Sequence, residues 1–391
     1  MIPVADAQAR LLALASPLPS QTVPLEQAIG HYLAEDIIAK RTQPAADLSA
    51  MDGYAIRFAD LPGPFKLVGE SAAGAPFAGI VQSHQAARIF TGAHLPAGAD
   101  TILVQEDARI EDDRIFVDGD GPDSLGKHIR RQGGDFRAGD TLVAAGTHLQ
   151  AGAIAAATMA GYGALSVGGT PKIKIIGTGD ELIPPGEPCD AAHIPSSNNI
   201  MLRAMLSGLP CDAFDAGIVS DNLERLAAAF NDAADYDVIV TSGGASVGDH
   251  DFVQDALKAA GAEIDFWQVA MRPGKPMMAA MIGKTILLGL PGNPSSALVT
   301  AFLFLLPLVR HLAGSKMSCP KGGIAPVTVD MHSGDSRTEY LRARLENGKI
   351  TPFGRQDSGM ITPLIEANAL LVRPAGSPPL KAGELAPYLA L

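Results

Sequence analysis

The sequence predicts a multi-domain α/β protein, in which a parallel-sheet domain is joined by a β-rich insert domain, a small helical or linker domain and a C-terminal β-barrel-like domain. Three observations predict this fold class. Apolar runs of strand length alternate with helical patterns over residues 171–316. Gly and Pro recur every few positions around short apolar runs in residues 44–145, and a similar texture returns after 317. A chain of 391 residues also exceeds the roughly 250–300 residues that one core accommodates.

Helical patterns flank the β-rich insert on both sides. The spacing of apolar residues predicts helices over 4–14 and 24–34, the second capped near Thr22, and a further helix over 150–160. A chain that leaves a domain usually returns at a neighbouring point. We therefore expect a discontinuous helical domain made of residues 1–43 and 146–170, with the insert domain at 44–145.

The segment 171–316 contains the strands and helices of the predicted parallel sheet. We expect the strands KIKII (172–176), DVIVT (237–241) and ILLGL (286–290), each followed by a glycine-containing loop and a helix. The expected helices cover 199–207, 221–233, 252–260 and 294–312. Short strands and turns then continue to the end of the chain, which predicts the β domain at 317–391.

Composition and charge exclude several function classes. With 30 Lys and Arg against 42 Asp and Glu, the net charge of −12 argues against a nucleic-acid partner, which needs a basic surface. The three cysteines form no C-x-x-C pair, and with no leader-like start they indicate a reducing, cytoplasmic compartment. The longest apolar run, Ala297–Val309, is too short to cross a membrane and predicts a buried core helix.

Three glycine-rich loops follow the predicted parallel strands. They cover residues 177–182, 241–251 and 291–296. In open parallel sheets, ligands bind beyond the carboxyl ends of the strands. Glycines let backbone N–H groups approach a ligand, and helix N-termini offer such groups to an anion. One such loop would be an ordinary turn, but three at one edge predict a phosphate or pterin site. In the third loop we expect Asn293 to cap the helix and Pro294 to occupy its first turn.

Carboxylates are concentrated in these loops. Glu181 follows the first strand, and Asp249 and Asp251 lie in the second loop. Several carboxylates beside an anion site indicate a hard cation such as Mg²⁺. For Asp221 two roles are equally compatible with the sequence: a ligand of this cation, or the cap of the helix that it begins. His250 has no neighbouring histidine, and we interpret it as a solvated loop residue rather than a metal ligand.

A rigid cationic turn, Arg272-Pro273-Gly274-Lys275-Pro276, lies in the same domain. In a protein with a net charge of −12, two cations on a proline-rich turn near the predicted anion loops indicate a ligand clamp rather than an exposed charged turn. The insert domain adds weaker candidates, which are the string 49–55 (SAMDGYA), the string 91–93 (TGA) and the string 130–135 (RRQGGD).

Taken together, these strings resemble the MoeA family, which includes the E-domain of gephyrin. The matching strings are SAMDGYAI (49–56), TGAHLPAGADTILVQED (91–107), IRRQGGDFRAGD (129–140), GTGDEL (177–182), TSGGASVGDHDF (241–252), RPGKP (272–276) and GLPGNPSSA (289–297). They occur in order over about 250 residues, so the joint match is specific, although related pterin-binding domains share the TSGG string.

The resemblance implies an elongated four-domain subunit whose α/β domain binds molybdopterin. It implies a homodimer with active sites between the α/β domain of one chain and the β domains of the other. It also implies the reaction of a molybdopterin molybdotransferase, in which molybdate and adenylylated molybdopterin give molybdenum cofactor and AMP with a divalent cation, Mg²⁺. A transient contact with the adenylyltransferase that makes the substrate is a further expectation.

The residue patterns and the resemblance together predict the site residues. The predicted catalytic residues are Asp52, Asp135, Asp251 and Lys275. The predicted metal ligands are Glu181, Asp221, Asp249 and Asp251. The predicted substrate contacts are Thr91, Gly243, Gly244, Ser246, Arg272, Pro291, Asn293, Pro294, Ser295, Arg337, Arg342 and Ser358. The dithiolene sulfurs that take up the metal belong to the substrate, so no cysteine is needed.

The chain departs from the family pattern at two positions, and three other functions compete with the one that the resemblance implies. Gly134 replaces a residue that is often polar or acidic, and position 249 is Asp where many members have Glu, which shortens the side chain but keeps its charge. The adenylyltransferase shares the TSGG string, but it lacks the insert and the GLPGNP string with its β tail. A receptor-clustering scaffold would not require the acidic and basic site residues to be retained. A generic nucleotide-sugar or NAD enzyme would need a G-x-G-x-x-G string after a strand, which the sequence lacks.

Overall fold

The computed structural model describes residues 1–244 and 252–391. The chain forms two compact units. The larger unit consists of Met1–Glu35, Ala145–Gln150 and Ala164–Leu391, and the smaller unit consists of Asp36–Ala144 and Ala151–Gly163. The chain therefore leaves the larger unit and returns to it, as expected for an insert. The division into four domains at the predicted boundaries stays a prediction.

A six-stranded sheet forms the centre of the larger unit. Its strands are β1 (Lys172–Thr178), β2 (Asp212–Val219), β3 (Val238–Ser242), β4 (Glu263–Trp267), β5 (Met278–Ile282) and β6 (Thr285–Leu290). The spatial order is β2-β1-β3-β6-β5-β4. Strands β2, β1, β3 and β6 are parallel, which confirms the expected parallel-sheet domain.

The sheet is mixed rather than wholly parallel, because β5 runs antiparallel to β6 and β4 runs antiparallel to β5. Ile282 pairs with Thr285, so only Gly283 and Lys284 connect β5 to β6. A two-residue connection can join only antiparallel strands, and Gly283 supplies the left-handed backbone (φ 60°) that this tight turn needs. Strands β4 and β5 were not predicted from the sequence, whereas β2 corresponds to a strand-like stretch that precedes Asp221.

Both faces of the sheet are covered by helices. These are Asn198–Leu206, Leu223–Ala228, Val253–Ala259 and a long helix made of Pro294–Thr300, Ala301–Leu305 and Leu306–Leu312. Side chains alternate between the two faces of a strand. In β1, Ile175 belongs to one core with Leu202 and Val299, whereas Ile176 belongs to another with Leu226. Burial on both faces explains why the runs that predicted these strands are predominantly apolar.

The long helix, Pro294–Leu312, has 19 residues and a mean hydropathy of 1.6 in its most apolar window. By length and composition alone this helix could cross a membrane. The prediction from the run Ala297–Val309 therefore underestimated the length of the apolar helix. However, 83% of that window is buried inside the protein. This burial matches the predicted core helix.

The N-terminal region differs from the prediction at one helix. The first helix, Val4–Ala13, agrees with expectation. The second is only Leu25–Ala28, because Ile29 is extended and Gly30 takes a left-handed φ of 81°. Thr22 does not cap it but lies in the strand Gln21–Pro24, which pairs with Ala164–Val167.

The C-terminal segment forms a second sheet in the larger unit, as predicted. Its strands are Gly322–Pro326, Thr338–Glu346, Lys349–Pro352, Ala369–Arg373 and Leu385–Ala390, with a short helix at Thr362–Glu366. The strand Met271–Arg272 joins this sheet by pairing in parallel with Thr338 and Glu339. The start of the cationic turn is therefore part of the C-terminal sheet.

The smaller unit contains a mixed six-stranded sheet, consistent with the predicted β-rich insert. Its strands, in spatial order, are Thr101–Val104, Gly53–Ile56, Gln85–Ile89, Phe65–Ser71, Arg114–Val117 and Ala108–Glu111. Two short pairs add Leu48–Ser49 with Ile129–Arg130 and Ile37–Ile38 with Thr141–Val143. The helix Ala151–Met159, which we assigned to the discontinuous helical domain, lies in this unit.

Candidate functional site

The larger unit has a cavity of about 630 Å³ at the carboxyl ends of β1, β3 and β6. The loops that follow all three strands line it, and so does a segment of the C-terminal sheet. The lining residues are 177–179, 181–182, 194–199, 242–244, 272–276, 291–294 and 356–358, together with Asp221, Ser296 and Arg337. The expected convergence of the three loops is therefore confirmed for their described residues.

Two glycines at the end of β3 allow close packing of backbone beside the cavity. Gly243 has a φ of 106°, and a Cβ atom there would lie 2.3 Å from the carbonyl oxygen of Thr178. Gly244 has a φ of 64°, and its Cβ would lie 2.2 Å from a methyl carbon of Val253. Only glycine fits both positions without strain. The cavity wall here is built from backbone, as the sequence predicted.

Asn198 connects three of the segments that line the cavity. It begins the helix Asn198–Leu206, and its Nδ2 donates to Ser242 Oγ (2.8 Å) and to the carbonyl of Gly292 (2.6 Å). One amide group thus joins a helix start, the end of β3 and the loop after β6. Because the Gly292 carbonyl can only accept, the orientation of the Asn198 amide is determined by this contact.

Cationic side chains enter the cavity from the turn 272–276 and from Arg337. Arg272 lies 3.7 Å from a carboxylate oxygen of Asp335 and 3.6 Å from one of Glu339. Arg337 also contacts Asp335, at 3.3 Å. Hydrogen bonds from the hydroxyl and amide of Ser336, and then Arg337, hold the pKa of Asp335 below its usual value. These acids orient the two arginines, whereas no ion pair to Lys275 is formed by the residues that the structure describes.

The loop after β6 differs from the prediction in two details. Asn293 occupies the capping position, but its side chain caps no helix N–H; its Nδ2 donates instead to Ser358 Oγ at 2.9 Å. Ser295 is fully buried and does not line the cavity, because its hydroxyl donates to the carbonyl of Met360. Pro294 begins the helix as expected. Asn293 and Ser295 thus attach this loop to the C-terminal segment.

Arg342 is also absent from the cavity lining. Its side chain is fully buried, and its guanidinium donates to Gln356 Oε1 and to the carbonyl of Asp357. A direct contact between Arg342 and a ligand is therefore not available in this structure. Arg337 and Ser358, the other two predicted residues of the C-terminal segment, do line the cavity.

Two of the predicted metal ligands, Glu181 and Asp221, line the cavity. The helix-cap alternative for Asp221 is not supported, because Asn222 is the cap and accepts the N–H of Arg225. Their carboxylates are the oxygen donors that Mg²⁺ prefers, so these two residues fit the expected cation. No group of three potential ligands occurs among residues 1–244 and 252–391. The remaining predicted ligands, Asp249 and Asp251, lie outside the described residues, as do Ser246 and His250.

In the smaller unit, the predicted residues Asp52 and Thr91 are in direct contact. One oxygen of the Asp52 carboxylate accepts both the amide of Thr91 (2.7 Å) and its hydroxyl (2.8 Å). These bonds, together with the positive charge of Arg88, lower the pKa of Asp52. Arg88 itself stacks against Tyr54 and Phe90 and donates to the carbonyl of Gly53. The sequence analysis did not single out Arg88.

The third predicted residue of this unit, Asp135, is exposed and borders a different, smaller cavity. That cavity has a volume of about 380 Å³ and is otherwise apolar, with Phe136, Leu142 and Met159 in its wall. The structure therefore brings Asp52 and Thr91 together, while Asp135 lies in another local environment of the same unit.

Several cavity residues were missed by the sequence analysis. They are Ser196, Ser197, Asn198, Asn199, Gln356 and Asp357. The run Ser196–Asn199 carried a usable signal, because four consecutive polar residues mark the start of the helix Asn198–Leu206. Gln356 and Asp357 carried none, since they follow an antiparallel strand whose partner the sequence does not specify.

Three family models match successive parts of the chain. Residues 2–161 match the MoeA N-terminal region (domain I and II). Residues 174–311 match a domain described as a "probable molybdopterin binding domain". Residues 325–391 match the MoeA C-terminal region (domain IV). The second match covers β1 to β6 and the strand-end loops of the cavity.

Curated relatives match along nearly the whole chain. A protein of Staphylococcus aureus (strain COL) named molybdopterin molybdenumtransferase is 32% identical over 394 residues, covering 98% of this chain and 94% of that protein. Proteins of the same name from Haemophilus influenzae and Nostoc are 33% and 35% identical, covering 94% and 93% of this chain and 93% and 87% of those proteins.

Solved structures agree with the sequence relatives. Two crystal structures of the molybdopterin biosynthesis MoeA protein from Pyrococcus horikoshii are similar over the whole chain. They have TM-scores of 0.81 and 0.85 at 27% and 25% identity and cover 100% of this chain and 99% and 100% of those chains. The order of matched regions, the full-length relatives and the shared fold lead to one conclusion: the chain belongs to the MoeA family.

Proposed function

We propose that this protein is a molybdopterin molybdenumtransferase, which inserts molybdate into adenylylated molybdopterin and releases AMP during molybdenum cofactor biosynthesis. Relatives named for this transfer extend over nearly the full chain. The observation that carries the proposal is the single cavity in which strand-end backbone, three cations and a C-terminal polar loop come together. This combination suits both a phosphoanhydride and an oxyanion, because backbone N–H groups and cationic side chains each bind anionic oxygens.

The cations are proposed to neutralise the anionic substrates. Arg272, Lys275 and Arg337 face one cavity, where a ligand that displaces water is held by stronger electrostatic attraction than on an open surface. In the step that releases AMP, an oxygen of molybdate or of water attacks the phosphorus on the pterin side of the phosphoanhydride, so that a new P–O bond forms, the bridging P–O bond breaks, and AMP leaves with the bonding electron pair as negative charge on its phosphate. Lys275, which we assign as catalytic, stabilises that charge, and Arg272 and Arg337 hold oxyanions beside it.

The remaining described residues of the lining are proposed to shape and orient the substrate. Gly243 and Gly244 have no side chains, so the backbone at the end of β3 can come close to the phosphate of the pterin substrate. Pro291, Asn293 and Pro294 form the neighbouring loop, and Ser358 presents a hydroxyl held by Asn293. Ser246 is assigned to the same role from the sequence. Ser295 and Arg342 act by supporting these loops.

A divalent cation, Mg²⁺, is proposed to assist the reaction. Glu181 and Asp221 would hold it together with Asp249 and Asp251 of the loop after β3. When bound, such an ion screens the charge of the phosphates and lowers the barrier to phosphoanhydride cleavage. The protein's own carboxylates determine where it can bind, and the cations of the cavity act on the substrate independently of it.

Further parts of the proposal concern the smaller unit and the assembly. Asp52, with Thr91 as its hydrogen-bonding partner, and Asp135 are proposed to complete a site in a homodimer, in which two chains each contribute residues. The ionised state of Asp52 at neutral pH suits it to bind a cation or a positively charged group. We also propose a cytoplasmic location and a transient contact with the adenylyltransferase that supplies the substrate.

The function is tested by measuring AMP release from adenylylated molybdopterin with and without molybdate. We expect molybdate-dependent release by the unaltered protein and a decrease of about 100-fold for Lys275→Ala, the size of effect that the loss of one charge-stabilising group produces. The matched control is Lys284→Ala, since Lys284 is exposed on the turn between β5 and β6. It should leave the rate unchanged.

Asp251→Asn extends this test to the loop after β3, and we expect it to reduce AMP release and its dependence on Mg²⁺. A protein that consumes ATP with molybdopterin but shows no molybdate-dependent AMP release would be an adenylyltransferase, and the proposal would be rejected. Near-normal rates for both Lys275→Ala and Asp251→Asn would remove the roles given to these two residues.

A further inference from the structure

Arg342 is the largest fully buried side chain in the described part of the protein. It lies in the strand Thr338–Glu346 of the C-terminal sheet, and its exposed fraction is 0%. Burying a guanidinium is costly, because the charge loses its hydration. Such a residue is therefore retained for a structural or functional reason that outweighs the cost, and its contacts indicate which.

Arg342 makes its side-chain hydrogen bonds with one loop, residues 353–361, which connects the strand Lys349–Pro352 to the helix Thr362–Glu366. Its backbone N–H and its Nε donate to Gln356 Oε1 (3.1 and 3.2 Å), and its Nη1 donates to the carbonyl of Asp357 (3.0 Å). Gln356 Nε2 returns a hydrogen bond to the carbonyl of Arg342 and a second to that of Phe353. Gln356 and Asp357 both line the cavity, so Arg342 holds the loop from the side that faces away from the ligand space.

The same loop is held on its other side by the helix that follows β6. The amide of Ser295 donates to the carbonyl of Ser358 (3.0 Å), and Asn293 Nδ2 donates to Ser358 Oγ (2.9 Å). The loop therefore has little freedom while both sets of contacts persist. Ser358, at its centre, is placed between the C-terminal sheet and the loop after β6.

The positive charge of Arg342 has no counter-ion in direct contact. Its hydrogen-bond acceptors are an amide and a carbonyl, and no carboxylate of residues 1–244 or 252–391 forms an ion pair with it. Its Nη2 is buried, and no acceptor within those residues reaches it. Burial lowers the pKa of Arg342, although the charge of Asp357 opposes this change. A buried cation directly behind a cavity wall attracts anions to that wall.

We propose that Arg342 is a positioning residue for the oxyanion: with Gln356 it orients the loop that carries Ser358, and its buried charge makes this wall of the cavity favourable to molybdate. The proposal rests on the proposed function and assigns to Arg342 an indirect action through the loop rather than the direct contact expected from the sequence. Supporting residues of this kind commonly change affinity by about 10- to 100-fold when replaced.

The test compares two buried arginines of the same sheet. Arg342→Met removes the charge and the two side-chain hydrogen bonds to the loop, from Nε and Nη1, whereas Arg342→Lys keeps the charge without the guanidinium geometry; both variants keep the backbone contacts with Gln356. The matched control is Arg373→Met, since Arg373 is 3% exposed and donates to the carbonyls of His332 and Pro378, which do not line the cavity. Molybdate binding to the full-length protein is measured by calorimetry, alongside the KM for molybdate, the KM for the pterin substrate and the melting temperature.

We expect Arg342→Met to weaken molybdate binding and to raise the KM for molybdate by about 10-fold, with the KM for the pterin substrate nearly unchanged. Arg342→Lys should recover part of the affinity. Arg373→Met should lower the melting temperature without changing molybdate binding. Equal losses of molybdate affinity in Arg342→Met and Arg373→Met, or unchanged affinity in Arg342→Met, would overturn the proposal.

Gln356→Ala provides a second route if Arg342→Met does not fold. It removes the Oε1 acceptor of Arg342 and the hydrogen bonds from Gln356 Nε2 to the carbonyls of Arg342 and Phe353, while the buried arginine and its bond to the carbonyl of Asp357 stay in place. We expect the same selective rise in the KM for molybdate, and a KM for molybdate equal to that of the unaltered protein would contradict the positioning role. An unaltered protein that binds no molybdate and releases no AMP would reject the proposed function itself, whereas normal turnover with insensitive variants rejects only this inference.

Discussion

The two walls of the cavity are built in different ways. The α/β wall consists of strand ends, with glycines at 243 and 244 and an asparagine that connects three segments. The C-terminal wall consists of side chains. Arg337 faces the cavity, and Arg342 is buried behind residues 356–358. The first wall places backbone close to a ligand, and the second supplies charge and hydroxyl groups.

This difference determines how each wall tolerates substitution. In the α/β wall the glycine backbone packs directly against neighbouring atoms. Adding a Cβ atom at a glycine with a positive φ therefore forces the backbone of the wall to move. A side-chain wall can lose one group and keep its shape, with a loss confined to the interaction removed. Substitutions in the α/β wall should therefore affect folding and activity together, whereas those in the C-terminal wall should affect activity alone.

Gly243→Ala should have the largest effect. A Cβ there would lie 2.3 Å from the carbonyl oxygen of Thr178, and a φ of 106° is strained for alanine. We expect a loss of about 3 kcal/mol in the free energy of unfolding and no measurable AMP release. Gly208→Ala is the control, because a Cβ at Gly208 meets no atom within 4 Å. Urea unfolding and the AMP assay measure both variants; normal activity in Gly243→Ala would show that the α/β wall is not built as described.

Arg337→Gln should reduce kcat/KM by about 30- to 100-fold, because a cation is removed from the cavity while the wall keeps its shape. The ion pair with Asp335 contributes little to stability at this partly exposed position, so the melting temperature should change little. Arg344→Gln, on the strand Thr338–Glu346 that begins directly after Arg337, is the control; Arg344 is paired with exposed acids, and the variant should retain full activity. Loss of stability without loss of activity in Arg337→Gln would reverse the contrast between the walls.

Asn198→Ala should lower the free energy of unfolding by about 1–3 kcal/mol, since the carbonyl of Gly292 and the hydroxyl of Ser242 lose a donor at a partly buried site. The KM for the pterin substrate should rise, because three segments of the α/β wall are no longer joined. The exposed Asn231→Ala serves as the control. Equal stability of the two variants by denaturant unfolding would mean that this amide does not hold the wall together.

Asn222→Ala should have the smallest effect, about 1 kcal/mol of unfolding free energy, which is the usual contribution of a helix cap. AMP release should be unchanged, because Asn222 does not line the cavity. Its neighbour Asp221 does line the cavity, and Asp221→Asn should instead reduce AMP release. If the two variants behaved alike in the activity assay, the separation of capping and site roles between these residues would be incorrect.

The α/β wall could be predicted from the sequence because topology brings strand ends together. Strands β1, β3 and β6 were visible as apolar runs buried on both faces, and each is followed by glycine. Parallel strands place those loops at one edge of the sheet, whatever the details of packing. The antiparallel part was missed since β4 and β5 continue the sheet through a two-residue turn that the pattern analysis did not recognise.

The C-terminal wall could be predicted only in part. Arg337 and Ser358 were proposed from the family resemblance and do line the cavity, whereas the position of Arg342 was not predictable. An arginine on a strand can point to either face, and the face is set by register, here Arg342 opposite Leu370. The contact between Asn293 and Ser358 likewise depends on tertiary packing and not on the local helix-start signal that predicted a cap.

The parallel pairing of Met271 and Arg272 with Thr338 and Glu339 limits how independently the C-terminal segment can be exchanged. A chimaera that received this segment from a relative would also receive a new neighbour for the first residue of the cationic turn. Only a graft that preserves this register would keep Arg272 aligned with the acceptors at 335 and 339. The C-terminal segment therefore cannot be exchanged as an independent module, because its sheet includes the strand Met271–Arg272 from the preceding part of the chain.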